Sequence, residues 1–107
     1  MRWAFDFLNE EIKEALDALP PDIRASFQRI VELIQANGLE RIREPYLKHL
    51  EGPLWEMRLK GRSAIARAVY VTATGMRIVV VHIFAKKTRK TPRQEIVQAL
   101  KKAKEVQ

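Results

Sequence analysis

Arg67 is the residue of this chain that solubility explains least. It interrupts an apolar stretch running from Ala64 to Thr72. A guanidinium among such neighbours must be paired or must line a cleft. Other bases collect around it in the second half of the sequence. Arg58 and Lys60 alternate with Trp55, Met57 and Leu59, and the run Lys86-Lys87-Thr88-Arg89-Lys90 follows directly on an apolar segment. Neighbouring antiparallel strands lie about 5 Å apart, so these groups can converge on one concave face. Such a face suits a phosphate chain. It can also stabilise the charge that develops when a phosphate is attacked. RNA supplies its own nucleophile, the 2′-OH, so a site of this kind needs orientation and charge more than a metal.

Other chemistries find little support. There are no cysteines, which excludes disulfides, thiol catalysis and Cys-based zinc sites. His49 and His82 are the only histidines, and neither has a carboxylate at ligand spacing, so no metal and no cofactor is expected. The four glycines are isolated and form no phosphate loop. No Ser-His-Asp pattern is present. His82 sits inside an apolar strand pattern and reads as a packed, hydrogen-bonded residue.

The elements that must carry these bases follow from the hydrophobic pattern. Trp3, Phe5 and Phe7 alternate and predict a short strand. Asn9 suits an N-cap, and Ile12, Ala15, Leu16 and Leu19 continue at helical spacing. Pro20-Pro21 ends that helix and opens a second one, with an apolar stripe of Ile23, Phe27, Ile30, Val31 and Ile34, up to Asn37-Gly38. Residues 39–53 read as a connection. Leu54 to Lys60, Ala64 to Thr72 and Met76 to Phe84 then form an antiparallel three-stranded meander, with Trp55 expected to face the core beside Met57 and Leu59. Thr91-Pro92-Arg93-Gln94 reads as a capping box before a last helix with Ile96, Val97, Leu100 and Ala103 on one face. The expected architecture is α+β: one small antiparallel sheet, of an N-terminal strand plus a three-stranded meander, with a two-helix hairpin and a C-terminal helix.

The 107 residues suit one domain, 1–107. The chain is 47% hydrophobic and 31% charged, as in ordinary soluble proteins. Its net charge of +7 is unevenly spread: residues 1–40 carry −4, residues 41–85 carry +5 and residues 86–107 carry +6. The asymmetry points to a polyanionic partner for the basic part. No apolar run approaches the ~20 residues of a membrane helix, and the N-terminus carries acids in place of a signal peptide's apolar core. The expectation is a cytoplasmic protein without membrane contact.

The string Lys48-His49-Leu50-Glu51-Gly52-Pro53-Leu54-Trp55-Glu56-Met57-Arg58, then Ala66-Arg67-Ala68-Val69-Tyr70, then Val81-His82-Ile83-Phe84-Ala85-Lys86-Lys87-Thr88 and Thr91-Pro92 resembles the HigB-like branch of the RelE/ParE toxin superfamily. These are phage-associated toxins of type II toxin–antitoxin pairs. The resemblance implies a RelE-like fold and a metal-independent endoribonuclease that cleaves mRNA on the ribosome. It also implies silencing by a cognate antitoxin of helix-turn-helix type, through which alone operator DNA would be reached. By motif, Arg67 matches the arginine expected at the scissile phosphate. Arg58 matches the basic residue after the Trp, and Lys86 and Lys87 match the basic pair after the last strand. These four are the catalytic candidates. Lys48 opens the motif and joins Lys60, Arg62, Arg89 and Lys90 as expected RNA contacts. Some relatives place a tyrosine near the C-terminal helix. This chain has none there, and its general acid and base stay unassigned. The alternative reading is a non-catalytic, ParE-like inhibitor of a protein target such as DNA gyrase.

Overall fold

The computed structural model describes residues 2–86 and 89–106. The order of elements is β1 (Ala4–Phe7), α1 (Glu10–Asp17), α2 (Pro21–Asn37), a 3-10 turn (Leu39–Arg41), β2 (Leu47–Glu51), β3 (Leu54–Lys60), β4 (Ile65–Ala73), β5 (Arg77–Lys86) and α3 (Arg93–Ala103). Five strands form one sheet in the order β1-β5-β4-β3-β2. The α+β class matches the expectation, with two differences. Part of the predicted connection is itself an edge strand, β2, and β1 joins β5 in parallel, so the sheet is mixed.

Local signals start and stop the helices. Asn9 Oδ1 accepts the Ile12 amide at 3.0 Å and caps α1. Pro21 opens α2, and Gly38 closes it at φ 91°, a conformation that favours glycine. The β3–β4 turn presses against the start of α2. A Cβ at Gly61 would lie 2.6 Å from Asp22 Oδ2, so a side chain there would have to displace the Asp22 carboxylate. Asp22 Oδ2 also accepts the Arg62 amide at 2.7 Å.

The sheet buries both faces. On one, Ile12, Leu16, Ile23, Phe27, Ile30 and Ile34 of the α1–α2 hairpin pack on Met57, Leu59, Tyr70, Ile78 and Val80. On the other, Leu54, Val69, Val71, Val79 and Val81 pack with Ala99 of α3, flanked by Ile96 and Leu100. Trp55 shares the hairpin face, as its alternation predicts, but remains 40% exposed. The helices do not reach its end of the sheet.

The capping box does not form. The Thr91 side chain makes no cap at α3. Its hydroxyl instead donates to Glu56 Oε1 at 2.7 Å, a stronger charge-assisted bond.

One irregularity decides which side chains share the α3 face. Val69 pairs with His82 while Tyr70 pairs with Val80, so Val81 is an extra residue in β5. A one-residue slip exchanges the two faces of a strand. Ile78, Val80 and Ile83 therefore serve the hairpin core, whereas Val79 and Val81 serve the α3 core. Beyond the bulge, His82, Phe84 and Lys86 lie on the α3 side.

Candidate nucleic-acid interface

Three cross-strand rows define the α3 face. Lys48 on β2, Glu56 on β3, Val69 on β4 and His82 on β5 form one. Arg58, Arg67 and Phe84 form the next, and Lys60, Ile65 and Lys86 the last. The apolar half of the face lies beneath α3, and the cations occupy the other half. The hydrophobic alternation of β3 and β4 is what aims Arg58, Lys60 and Arg67 to this side.

Glu56 sits at the centre. Only 2% of it is exposed. Its Oε2 lies 2.6 Å from Arg67 Nε, an ion pair whose angle is too poor for a hydrogen bond. Arg67 is itself only 6% exposed, and its Nη1 reaches the Ala66 carbonyl at 3.4 Å. Of the two outcomes its apolar neighbours allow, pairing or lining a cleft, the structure shows pairing: the guanidinium expected by resemblance at the scissile phosphate is engaged by an internal carboxylate. Arg58 Nε is buried without a hydrogen-bond partner, an arrangement that costs free energy unless a ligand or water satisfies it.

The crowding of cations perturbs their titration. Burial pushes the Arg67 guanidinium below its ordinary range, Glu56 opposes this, and Arg58 adds to it. Burial also lowers Lys86, and repulsion from Arg67, Arg58 and Lys48 adds to the effect against the pull of Glu56. The strand registers put Lys48, Arg58, Arg67 and Lys86 in adjacent rows of the same face. The Lys86 ammonium also donates to the Arg89 carbonyl.

The other predicted positions divide. Lys60 is exposed at the near end of the same face. Arg89 and Lys90 are exposed on the link from β5 to α3. Arg62 belongs to the turn against α2, away from the cluster. Lys87 lies outside the described residues.

Two ionisable residues on this face were missed as site residues. Glu56 is one. The alternation of β3 already put it beside Arg58, but nothing in the sequence marked it as buried. His82 is the other. Its ring lies between two α3 side chains, with Nε2 2.7 Å from Glu95 Oε1 and Nδ1 2.8 Å from Lys102 Nζ. An ammonium only donates, so Nδ1 accepts and Nε2 carries the proton toward Glu95. His82 is thereby a clamp between β5 and α3, as the packed, hydrogen-bonded reading expects. Among the described residues, no group of three or more His, Cys, Asp or Glu could hold a metal ion. No helix among them is long and apolar enough to cross a membrane.

The fold is that of the RelE-type toxins. It resembles the free state of a double arginine-to-alanine mutant of the E. coli toxin RelE, with a TM-score of 0.64 at 20% identity over 94% of this chain and 97% of the other. A sequence model described as "Phage derived protein Gp49-like (DUF891)" matches residues 14–104. The chain belongs to this family, which is of RelE/HigB toxin type. No curated protein sequence matches it.

Proposed function

We propose that this protein is the toxin of a type II toxin–antitoxin pair and acts as a metal-independent endoribonuclease on ribosome-bound mRNA. The observation that carries the reading is the placement of Lys48, Arg58, Arg67 and Lys86 in adjacent rows of one sheet face around the buried Glu56 carboxylate. A site with several cations and one internal anion is set up to receive a phosphate, whose charge relieves the repulsion among them.

Roles follow from exposure and pairing. Arg58 and Lys86 are half-buried and Lys48 is exposed, so these three meet the scissile phosphate first. Arg67 lies beneath them and contributes its field, with Glu56 holding it in place. Lys60, Arg89 and Lys90 guide the flanking strand. Lys86 is the group best suited to proton transfer. Its lowered pKa brings the neutral amine within closer reach than in a free lysine. The 2′-OH attacks the phosphorus in line as the P–O5′ bond breaks; the neutral Lys86 amine takes the 2′-OH proton and the leaving 5′-oxygen takes one from water, giving a 2′,3′-cyclic phosphate and a 5′-hydroxyl. The cations stabilise the extra charge of the transition state. Lys87 remains a candidate by resemblance.

The partner is an antitoxin with acidic or apolar segments. Opposite potentials speed and select such association. The test is inducible expression without a partner, followed by mRNA cleavage on ribosomes with EDTA present. Growth arrest and EDTA-resistant cleavage are expected. A normal growth curve with soluble protein would refute the toxin reading. Arrest without RNA cleavage would favour a non-catalytic block of a protein target.

A further inference from the structure

A second concavity lies on the opposite face of the sheet, at the end that the helices leave open. Its volume is about 810 Å³, within the range of small-ligand sites. Trp3, Leu39, Ile42, Trp55 and Tyr70 make its apolar lining. The cleavage chemistry uses none of them.

Three features single it out. First, it contains an exposed aromatic pair. His49, Trp55 and Tyr70 form one cross-strand row; Tyr70 is buried beneath it, while His49 and the 40%-exposed Trp55 present rings 5.1 Å apart and tilted by 59°. Second, the pair is held in place. Trp55 belongs to β3, which is paired on both sides. His49 Nε2 donates to the Gly52 carbonyl at 2.9 Å, which fixes the ring. Third, the rim carries both signs of charge. Glu40 and Glu44 stand against Arg43 and Lys48. An acidic or purely apolar peptide would leave part of such a rim unmatched. A nucleotide would use all of it: the base stacks, its amino protons meet carboxylates, and its phosphate meets cations.

The groove is also continuous with the cationic face. Successive residues of a strand point to opposite sides. Lys48 stands in the row of Glu56, and His49, its neighbour on edge strand β2, stands in the row of Trp55. A single strand of RNA passing over this edge has a phosphate contact on one side and a stacking surface on the other.

We infer that this groove is a nucleobase subsite, in which an unpaired RNA base that has passed over the β2 edge, a few nucleotides from the cleaved phosphate, stacks on Trp55 with His49 against its edge. The inference rests on the ribonuclease reading and adds a source of sequence preference to it.

Both tryptophans of the chain line this groove, so intrinsic fluorescence reports on it directly. The protein is titrated with GMP, AMP and ribose 5-phosphate. Saturable quenching by the nucleotides, absent with ribose 5-phosphate, is expected. Replacing the stacking ring in Trp55→Leu, followed through Trp3, should weaken nucleotide binding about tenfold or more. The exposed-edge variant His49→Ala should weaken it in the same direction. On ribosomes, Trp55→Leu should raise KM and flatten the base preference at the message position that occupies the groove, while kcat is kept. Absence of quenching, equal quenching by ribose 5-phosphate, or unchanged affinity in a folded Trp55→Leu or His49→Ala protein would overturn the subsite. Cleavage without nucleotide quenching removes the groove and leaves the nuclease. Quenching without cleavage removes the nuclease and leaves a nucleotide-binding groove.

Discussion

Replacing Glu56 by glutamine tests the electrostatic reasoning most directly. Gln keeps the shape and can still accept the Thr91 hydroxyl bond of 2.7 Å. It removes only the charge. The side chains of Arg67 and Glu56 are 8% and 2% exposed, so water cannot take the place of the lost carboxylate. Arg67 then faces Arg58 with no counter-anion. Removing one member of a buried pair costs about 3–5 kcal/mol. Against a typical total stability of about 5–15 kcal/mol this is a large share. At about 4 °C per kcal/mol, Glu56→Gln should lower Tm by roughly 12–20 °C. The double variant Glu56→Gln, Arg67→Met removes both charges and should recover much of the loss. Thr91→Val should cost only about 1 kcal/mol, one hydrogen bond. The assay is urea and thermal unfolding of the wild type, the single variants Glu56→Gln and Arg67→Met and the double variant, arranged as a double-mutant cycle, with Thr91→Val alongside. A Glu56→Gln loss below about 0.5 kcal/mol, or a double variant no more stable than the sum of its singles, would show that the pair is not electrostatically coupled. The picture of a carboxylate holding the site together would then be wrong.

Arg67→Ala should abolish growth arrest and, because Glu56 is then unpaired, should also lower Tm, so loss of activity must be judged on the soluble, folded fraction. Arg67→Lys should restore part of the activity, since an ammonium lacks the planar fork. Lys86→Met should lose cleavage while raising Tm by about 2 °C, because it relieves repulsion at a half-buried position; a fall in Tm would argue against crowding. The sign for pH follows from the lowered folded pKa of Lys86. Its destabilising contribution is full below that pKa and is relieved as pH rises from there toward the ordinary 10.5. Cleavage that depends on the neutral amine should rise with pH up to that lowered pKa and level off above it, and a flat profile would remove Lys86 as the base. Trp55→Ala should cost about 1–2 kcal/mol, less than the ~3–5 kcal/mol of a fully buried tryptophan, because much of the ring is already in water.

Much of the fold could be read from the sequence, because helices carry their own signals. Asn9, Pro21 and Gly38 act within a few residues of where they stand. The strands were harder in proportion to how far away their partners lie. β2 has the polar residues Lys48, His49 and Glu51 and ends at Gly52-Pro53, so it resembles a loop; only pairing with β3 makes it a strand. β1 pairs with β5 across more than seventy residues, and no local pattern states that the pairing is parallel. Thr91 had two possible partners, its own helix and Glu56, and the choice depends on a residue thirty-five positions away. Of the site, the cations were visible as types and spacing. The burial of Glu56 was not, because a Glu alternating with bases on a strand looks the same whether solvent or a helix covers it.

The bulge at Val81 shows why the site could not be placed from spacing alone. Residues 78–81 are all apolar, so either parity of β5 satisfies a hydrophobic core. The insertion leaves both cores filled, with Val80 and Ile78 on one side and Val79 and Val81 on the other. It is therefore nearly silent in hydrophobic terms. Its effect falls downstream, where the residues are polar. Without it, Lys86 and His82 would share the parity of Ile78 and Val80 and point toward the helix hairpin. Arg67 and Arg58 would then lose a neighbouring cation, and α3 would lose the imidazole that its Glu95 and Lys102 grip. A single extra apolar residue thus places a fourth strand's charge in the cluster and anchors the helix that covers the rest of the face. The functional geometry depends on a backbone feature whose local cost is small.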